Sequence, residues 1–222
     1  MSAIKKTAEI LDLSKTEAGP MLAHYEYPWQ AVAHIMEIIR EIGKSLSTNE
    51  YNELGDGIWV SKSAKIAPSA NICGPCIIGD NAEIRHCAFI RGSVLIGSGA
   101  VIGNSTELKN CIISDGAALP HYNYVGDSLI GYRAHFGAGA LTSNVKSDKT
   151  NIVIRAGSEI QLTGLRKFGA VVGNFCELGC GAVLNPGTVL GERVSVYPLV
   201  SVRGVVESDH IVKSEHDIVK KT

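Results

Sequence analysis

An aliphatic residue returns at every sixth position along most of the chain. One such series is Val60, Ile66, Ile72, Ile78, Ile84, Ile90, Ile96, Ile102 and Leu108, and a second is Val172, Leu178, Leu184, Leu190, Val196 and Val202. Between them the spacing continues, with five-residue steps from 108 to 113 and from 125 to 130. A period of six fits neither an α-helix nor an alternating strand, and it is the signature of a hexapeptide-repeat parallel β-helix. We therefore predict an all-β fold, a left-handed parallel β-helix in which three short strands form each triangular coil.

The β-helix is predicted over residues 57–206, which gives room for about eight coils in a stack roughly 40 Å high. The repeat lapses near 147–170, where "NIVIRAGSEIQL" alternates apolar and polar residues and predicts a hairpin that leaves the prism. Residues 1–56 carry apolar positions at helical spacing, such as Ile35, Ile38, Ile39 and Ile42, and predict an N-terminal helical appendage ending at the turn "NELGDG". The polar tail, 207–222, is expected to cover the end of the helix or a neighbour.

Composition narrows the classes of function. Hydrophobic residues make up 45% and charged residues 19% of the chain, which predicts a packed domain and not a disordered one. The net charge of −1 gives no basic face for nucleic acid. No apolar run approaches the roughly 20 residues that span a bilayer, and the N-terminus lacks the apolar core of a secretory signal. We expect a cytoplasmic protein that binds neither nucleic acid nor membrane.

The cysteines of "CGPC" and "CELGC" resemble halves of a zinc site. However, Cys76 and Cys176 each stand four positions after a repeat aliphatic, where alanine is common elsewhere. They are therefore interpreted as small buried fillers, and no metal site is predicted. A zinc enzyme with three histidines is disfavoured too, because His86, His121 and His135 lack the expected spacing.

Two cations interrupt the repeat where glycine is common. Arg91 follows Ile90 and Lys109 follows Leu108, so that they lie one coil apart on the same face, with roughly 5 Å between their backbones. An anion such as a phosphate between them would relieve their repulsion. The alternative is that both are solvated, with Glu107 or Glu83 as counter-ions.

The stretch "ALPHYNYVGD", residues 118–127, departs from the repeat and contains His121 and Tyr124. A histidine with its ordinary pKa of about 6.5 can accept and release a proton near neutral pH, so His121 is a candidate general base. The alternative for a lone histidine is a structural role.

Residues 91–144, "RGSVLIGSGAVIGNSTELKNCIISDGAALPHYNYVGDSLIGYRAHFGAGALTSN", resemble the acetyltransferase domain of the bifunctional N-acetylglucosamine-1-phosphate uridyltransferase/glucosamine-1-phosphate acetyltransferase. The later segments "LRKFGAVVGN", "LNPGTVLG" and "VYPLVSVRG" resemble the C-terminal β-helix of sugar-1-phosphate nucleotidyltransferases. The Gly-rich nucleotide-binding domain of that family has no counterpart in this sequence.

The resemblance implies an N-acetyltransferase that uses acetyl-CoA and an amino-sugar 1-phosphate such as glucosamine-1-phosphate or galactosamine-1-phosphate. It implies that His121 is the general base, and that Arg91, Lys109 and Tyr124 hold the phosphate and the sugar. Further implied contacts are His135 on the sugar side, and Ala138, Asn144, Cys180 and Pro198 on the CoA side. Backbone N–H groups beside Gly137 to Gly139 are expected to stabilise the oxyanion.

Two departures from the family leave the sugar and the acyl group open. His135 replaces the sugar-binding asparagine, and Val145 replaces an aromatic residue after Asn144. A narrow prism has little concavity of its own, so we expect a homotrimer with its sites between neighbouring prisms. The alternative is a non-catalytic sugar-phosphate-binding or trimerisation module that partners a separate nucleotidyltransferase.

Overall fold

The computed structural model describes residues 4–55 and 57–222. Residues 1–3 and 56, which belong to the predicted appendage and its closing turn, lie outside the described residues. The N-terminal part contains three 3-10 turns, Thr7–Glu9, Leu13–Lys15 and Pro28–His34, and two α-helices, α1 (Gly19–Leu22) and α2 (Ile35–Ser45). The strands in chain order are β1 (Tyr51–Glu53), β2 (Ile58–Ser61), β3 (Lys65–Ile66), β4 (Asn71–Ile72), β5 (Cys76–Ile78), β6 (Glu83–Ile84), β7 (Phe89–Ile90), β8 (Val94–Ile96), β9 (Val101–Asn104), β10 (Glu107–Ile113), β11 (Ala118–His121), β12 (Tyr124–Ile130), β13 (His135–Phe136), β14 (Leu141–Thr142), β15 (Val153–Ala156), β16 (Glu159–Leu162), β17 (Ala170–Val172), β18 (Glu177–Leu178), β19 (Val183–Leu184), β20 (Thr188–Leu190), β21 (Ser195–Val196), β22 (Ser201–Val202), β23 (Val205–Val206), β24 (His210–Ser214) and β25 (Asp217–Lys220).

The strands stack in parallel into a three-sided prism of about nine turns, which confirms the predicted hexapeptide-repeat β-helix. Face 1 contains β2, β5, β8, β17, β20 and β23 with the second halves of β10 and β12. Face 2 contains β3, β6, β9, β11, β13, β18, β21 and β24. Face 3 contains β4, β7, β14, β19 and β22 with the first halves of β10 and β12. The repeat aliphatics stack in register along each face and fill the interior, with the small residues beside them. Cys76 and Cys176 are fully buried in this core, as the spacing predicts.

Face 1 carries a second apolar row on its outer side. In every third hexapeptide the residue before the repeat aliphatic is itself aliphatic, which gives the outward row Ile77, Leu95, Ile112, Leu129, Val171, Val189 and Val205. The N-terminal segment covers this row with Ile10, Leu22, Trp29, Val32, Ile35, Ile38, Ile39 and Ile42. The appendage is therefore a docked cover for one face, held by apolar burial. The described residues of this segment, 4–55, place their buried apolar side chains on face 1 and not on faces 2 and 3.

The five-residue steps shorten one corner of the prism. At the corner between faces 3 and 1, the steps leave a single residue, Asn110 in one coil and Asp127 in the next, and both have positive φ, 47° and 50°. β10 and β12 therefore run as seven-residue strands across two faces, in register with each other. Asparagine and aspartate tolerate this left-handed conformation better than other non-glycine residues. The steps thus place two polar side chains one above the other at the corner.

Where the repeat lapses, β15 and β16 form an antiparallel hairpin outside the prism. The tail differs from the polar cover expected over 207–222, because β24 pairs in parallel with β21 and buries Val212 in the core. Val212 stands six residues after Val206, so the repeat itself extends past the predicted boundary. Over 4–55 and 57–222, no helix combines the length and the apolarity that a bilayer crossing requires.

Candidate active site

A buried carboxylate organises the corner between faces 3 and 1. Asp127 is 4% exposed and accepts a hydrogen bond of 2.8 Å from Asn110 Nδ2 at one oxygen, Oδ1. Its other oxygen, Oδ2, accepts from Asn144 Nδ2 and lies 3.8 Å from Lys109 Nζ. The same geometry therefore fixes Lys109 and Asn144, two of the predicted site residues, around one acid.

Arg91 lies one coil below Lys109 on face 3, as the repeat predicts. Its Nη1 is 2.6 Å from Glu107 Oε1, and this ion pair raises the pKa of the Arg91 guanidinium. Glu107 is one of the counter-ions that the sequence suggested as the alternative to a bound anion. Each cation thus has a carboxylate partner, Glu107 for Arg91 and Asp127 for Lys109. Both cations remain partly exposed, so an incoming anion can still reach them.

Tyr124 joins this group from the middle of face 3. Its hydroxyl accepts a hydrogen bond of 3.3 Å from Asn144 Nδ2, and burial together with the negative charge of Asp127 raises the pKa of the phenol. The hydroxyl therefore stays protonated and can donate to a ligand. Gly126 makes the arrangement possible, because a Cβ there would lie 2.5 Å from the Tyr124 oxygen and 2.9 Å from Asn144 Nδ2.

His121 lies at the opposite edge of face 3, at the corner with face 2. Its backbone N–H donates to Asn123 Oδ1 at 3.1 Å. The Asn123 side chain is buried and donates to the carbonyl oxygens of Gly137 and Ala140 at 2.9 and 3.0 Å. The histidine backbone is thus tied to the next coil, while its side chain is exposed and has no hydrogen-bond partner within the part of the chain that the structure describes. An imidazole so placed is free to accept a proton from a ligand.

Three predicted CoA-side residues stack directly above His121 at this corner. The Gly139 N–H donates to the His121 carbonyl at 3.0 Å, and the Gly181 N–H donates to the Ala138 carbonyl at 2.8 Å. The Leu199 N–H donates to the Cys180 carbonyl at 2.9 Å, which places Pro198 at the top of the same column. The repeat thus brings His121, Ala138, Cys180 and Pro198 into one line. Asn144 lies at the other edge of face 3, beside Asp127.

The expected oxyanion donors beside Gly137 to Gly139 need a correction. The Gly137 N–H donates to the Leu178 carbonyl at 2.7 Å, and the Gly139 N–H is already bonded to His121. Stacking of the coils therefore consumes both groups, and neither can serve an oxyanion. The Ala138 N–H lies between them and has no partner in residues 4–55 and 57–222, so Ala138 is the remaining donor in this turn.

His135 lies apart from these groups. It is on face 2, where its register partner in the coil below is Ala118, and its Nδ1 is 2.9 Å from Glu177 Oε2. Within one prism it does not meet the cations of face 3.

The exposed side chains along the His121 corner are unusually apolar. Tyr122 is 67% and Leu199 is 84% exposed, and Tyr197 beside them is 46% exposed. By contrast, the cavity of about 770 Å³ lined by Arg40, Trp59 and Pro75 lies at the base of the prism, far along the chain from the candidate site. None of the predicted site residues lines that cavity, so the candidate site is placed on face 3 and its two corners.

The two cysteines interpreted as core fillers have unreactive thiols. Burial raises the pKa of the Cys76 and Cys176 thiols to about 12, so both stay protonated at neutral pH. Within residues 4–55 and 57–222, no three His, Cys, Asp or Glu side chains are grouped so as to hold a metal ion.

Sequence reasoning missed two residues that hold the site together. Asp127 and Asn123 both lie in "ALPHYNYVGD", where the sequence predicts site roles only for His121 and Tyr124. The signal for Asp127 was its place inside a five-residue step, where a single residue must form the corner. Asn123 gave no comparable signal, because its partners are carbonyls of another coil.

Comparison with known proteins gives a consistent match. The family described as the GMPPB C-terminal domain matches residues 72–217, well over half of the chain. The bifunctional sugar-1-phosphate nucleotidylyltransferase/acetyltransferase of Sulfurisphaera tokodaii is 34% identical over 86 residues, 39% of this chain and 21% of that protein. The bifunctional protein GlmU of Methanococcus vannielii is 28% identical over 223 residues, 99% of this chain and 53% of that protein. These relatives confirm the resemblance drawn from residues 91–144, and the chain spans about half of their length or less.

Among solved structures, a single-site mutant of AntD, an N-acyltransferase from Bacillus cereus in complex with dTDP and coenzyme A, is 19% identical with a TM-score of 0.40. The match covers 78% of this chain and 90% of that one. At these values the likeness does not bear on activity.

Proposed function

The chain belongs to the GMPPB C-terminal domain family, and from this premise we propose that it is an acyltransferase that moves an acetyl group from acetyl-CoA to the amino group of an amino-sugar 1-phosphate. Glucosamine-1-phosphate and galactosamine-1-phosphate are the acceptors to test first. The similarity to bifunctional nucleotidylyltransferase/acetyltransferases supports the reaction class. The observation that carries the proposal is the shared face: at one edge of face 3 an exposed imidazole without a hydrogen-bond partner among the described residues, and at the other edge two cations.

The two edges of face 3 have different roles in the proposed reaction. Arg91 and Lys109 bind the phosphate of the acceptor, and Tyr124 and Asn144 contact the sugar or the acyl donor. This binding holds the amine near His121, and such positioning removes a large part of the barrier. His121 takes a proton as the amine nitrogen attacks the thioester carbonyl. The C–N bond forms, the C–S bond breaks, and the proton held by His121 goes to the departing sulfur, which leaves as CoA.

Charge develops on the carbonyl oxygen during the attack. Ala138 supplies the N–H that faces this oxygen, since its neighbours on both sides are already bonded. Cys180 and Pro198, above Ala138 in the same column, border the path of the donor. His135 lies on face 2 and would contact the sugar only from a neighbouring prism.

We propose a homotrimer in which these sites lie between prisms, in the cytoplasm. The N-terminal segment covers face 1, so faces 2 and 3 are the ones left to meet a neighbour. The exposed side chains of Tyr122, Tyr197 and Leu199 along the corner between these faces support the same arrangement. Light scattering tests it, and a monodisperse monomer would count against a site between subunits.

The direct test follows thiol release from acetyl-CoA with each amino-sugar phosphate. Wild type is expected to turn over, and His121→Ala is expected to lose roughly 10²–10⁴-fold in rate. His86→Ala is the matched control, because His86 lies in the same corner column two coils lower and should leave the rate unchanged. Equal rates for wild type and His121→Ala would remove His121 from the mechanism.

A second candidate function is a non-catalytic sugar-phosphate-binding or trimerisation module that partners a nucleotidyltransferase. It is favoured by the carboxylate partners of Arg91 and Lys109 and by a family description that names one domain of a larger protein. Binding of the sugar phosphates with no turnover of any of them would select this candidate.

A further inference from the structure

A small basic cleft lies at the corner between faces 3 and 1, where the hairpin meets the upper coils. It has a volume of about 180 Å³ and is lined by Lys146, Val153, Arg155, Pro186, Arg203 and Gly204. Three of these six residues are cationic, and none of the three is assigned to the acetyl-transfer site above.

The hairpin is held firmly against the prism. Ile152 and Ile154 are buried in the apolar layer outside face 1, and their alternation leaves Arg155 on the exposed side of β15. The contact is close enough to require glycine, because a Cβ at Gly204 would lie 2.8 Å from the Arg155 carbonyl oxygen. A Cβ at Gly187 would lie equally close to Ile152 Cγ2. The position of Arg155 in the cleft wall is thus fixed by packing.

The charges in the cleft are only partly balanced. Lys146 Nζ is 3.2 Å from Asp148 Oδ2 and donates to the Thr150 hydroxyl. Arg155 and Arg203 have no ion pair in the portion of the chain described, 4–55 and 57–222. Two guanidinium groups around a small cleft repel each other, and a bound anion offsets this repulsion. The planar fork of arginine suits phosphate oxygens in particular.

The cleft stands at a defined height above the candidate site. Tyr124 pairs with Leu141, Leu141 with Val183, and Val183 with Ser201, so Ser201 lies three coils above Tyr124. Arg203, two residues beyond Ser201, therefore lies roughly 14 Å above Gly126 on face 3. A monosaccharide phosphate whose amine meets His121 is too short to reach it. An acyl-CoA is long enough, because the pantetheine arm separates the thioester from the phosphate groups.

We propose that Arg155, Arg203 and Lys146 form the site for a phosphate group of the acyl donor, CoA. The hairpin then acts as one wall of the donor site, which runs upward across face 3 from the His121 corner to the corner with face 1. This inference rests on the proposed acetyl transfer and names the residues that select the donor.

The test measures CoA binding by calorimetry, without turnover. In the double variant Arg155→Gln/Arg203→Gln, the Kd for CoA is expected to rise about tenfold or more for each guanidinium lost. Arg133→Gln is the matched control, an exposed arginine at another corner of the prism whose loss should leave the Kd unchanged. The Tm of the unliganded double variant should not fall, because the substitutions remove repulsion between like charges.

The outcomes separate this inference from the proposed function. If wild type binds no CoA, the acetyl-transfer proposal fails, and this inference fails with it. If wild type binds CoA and acetylates the sugar phosphate while the double variant keeps its Kd for CoA, only the inference is overturned. Weaker binding of the sugar phosphate in place of CoA would assign the cleft to the acceptor and would also overturn it.

Discussion

Asp127→Asn is the sharpest test of the corner between faces 3 and 1. The buried carboxylate accepts from Asn110 Nδ2 at 2.8 Å and from Asn144 Nδ2, one bond on each oxygen. An asparagine offers one oxygen and one NH2, so with the neighbouring amides oriented as they are, one of the two amide donors faces another donor. An unsatisfied buried donor costs about 1–3 kcal/mol, and the surviving bond loses its charged acceptor. The pair with Lys109 is long and partly exposed, so it adds little. We expect the free energy of unfolding to fall by about 2–4 kcal/mol.

For a chain of this size the loss corresponds to a Tm lower by roughly 5–15 °C, measured by scanning calorimetry or circular dichroism. Asp209→Asn is the comparison variant, since Asp209 also has positive φ, 61°, and also pairs with a cation, Arg193, but its side chain is 39% exposed. Its substitution should lower Tm by less than Asp127→Asn does, because the two hydrogen bonds from Arg193 that it weakens are open to solvent. Both backbone conformations suit asparagine, so the variants differ in burial and in the partners of the carboxylate, which are amides for Asp127 and Arg193 for Asp209. A loss below about 0.5 kcal/mol for Asp127→Asn, or an equal loss in the comparison variant, would refute the reasoning.

Two further results are expected. Gly126→Ala places a methyl group against the Tyr124 hydroxyl and Asn144 Nδ2. The variant should therefore bind the sugar phosphate more weakly and lose about 1–3 kcal/mol of stability. An unchanged affinity in a folded variant would contradict the packing described. Burial raises the pKa of Tyr51 to about 12. The contribution of this phenol to stability is therefore complete below pH of about 10 and is lost as pH rises through about 12. The free energy of unfolding of Tyr51→Phe, measured against pH, should fall less over this range than that of wild type, and identical profiles would contradict the expectation.

The six-residue period was sufficient to predict the prism. Each repeat aliphatic must point inward, since the strand is too short to bury anything else, and the small residue beside it fits the narrowing corner. The period of eighteen follows from the three-sided coil, and it placed Arg91 and Lys109 one above the other. These features depend only on local backbone geometry and on which residues avoid water, so they can be read without coordinates.

The sequence predicts both parts of the cover on face 1 but does not show that they pack together. The doubled aliphatics, such as Leu95 with Ile96, recur once per coil and indicate a face that is apolar on both sides. The helical spacing of Ile35, Ile38, Ile39 and Ile42 predicted an amphipathic helix. Joining the two required knowing that the outward row and the helix meet.

Some features of the candidate site follow from the sequence, and others follow only from the tertiary structure. The sequence alone determined which residue types occupy the irregular positions, and thus that His121, Arg91, Lys109 and Tyr124 share one region of the prism. Only the tertiary structure decided that Asp127 ties Lys109 to Asn144, that Asn123 anchors the His121 backbone, and that the Gly137 and Gly139 N–H groups are already bonded. It also decided that Arg155 of the hairpin and Arg203 of the prism line one cleft. The physical reason is that a repeat fixes each residue's face and height, whereas a hydrogen bond or an ion pair depends on which side chains of other coils reach it.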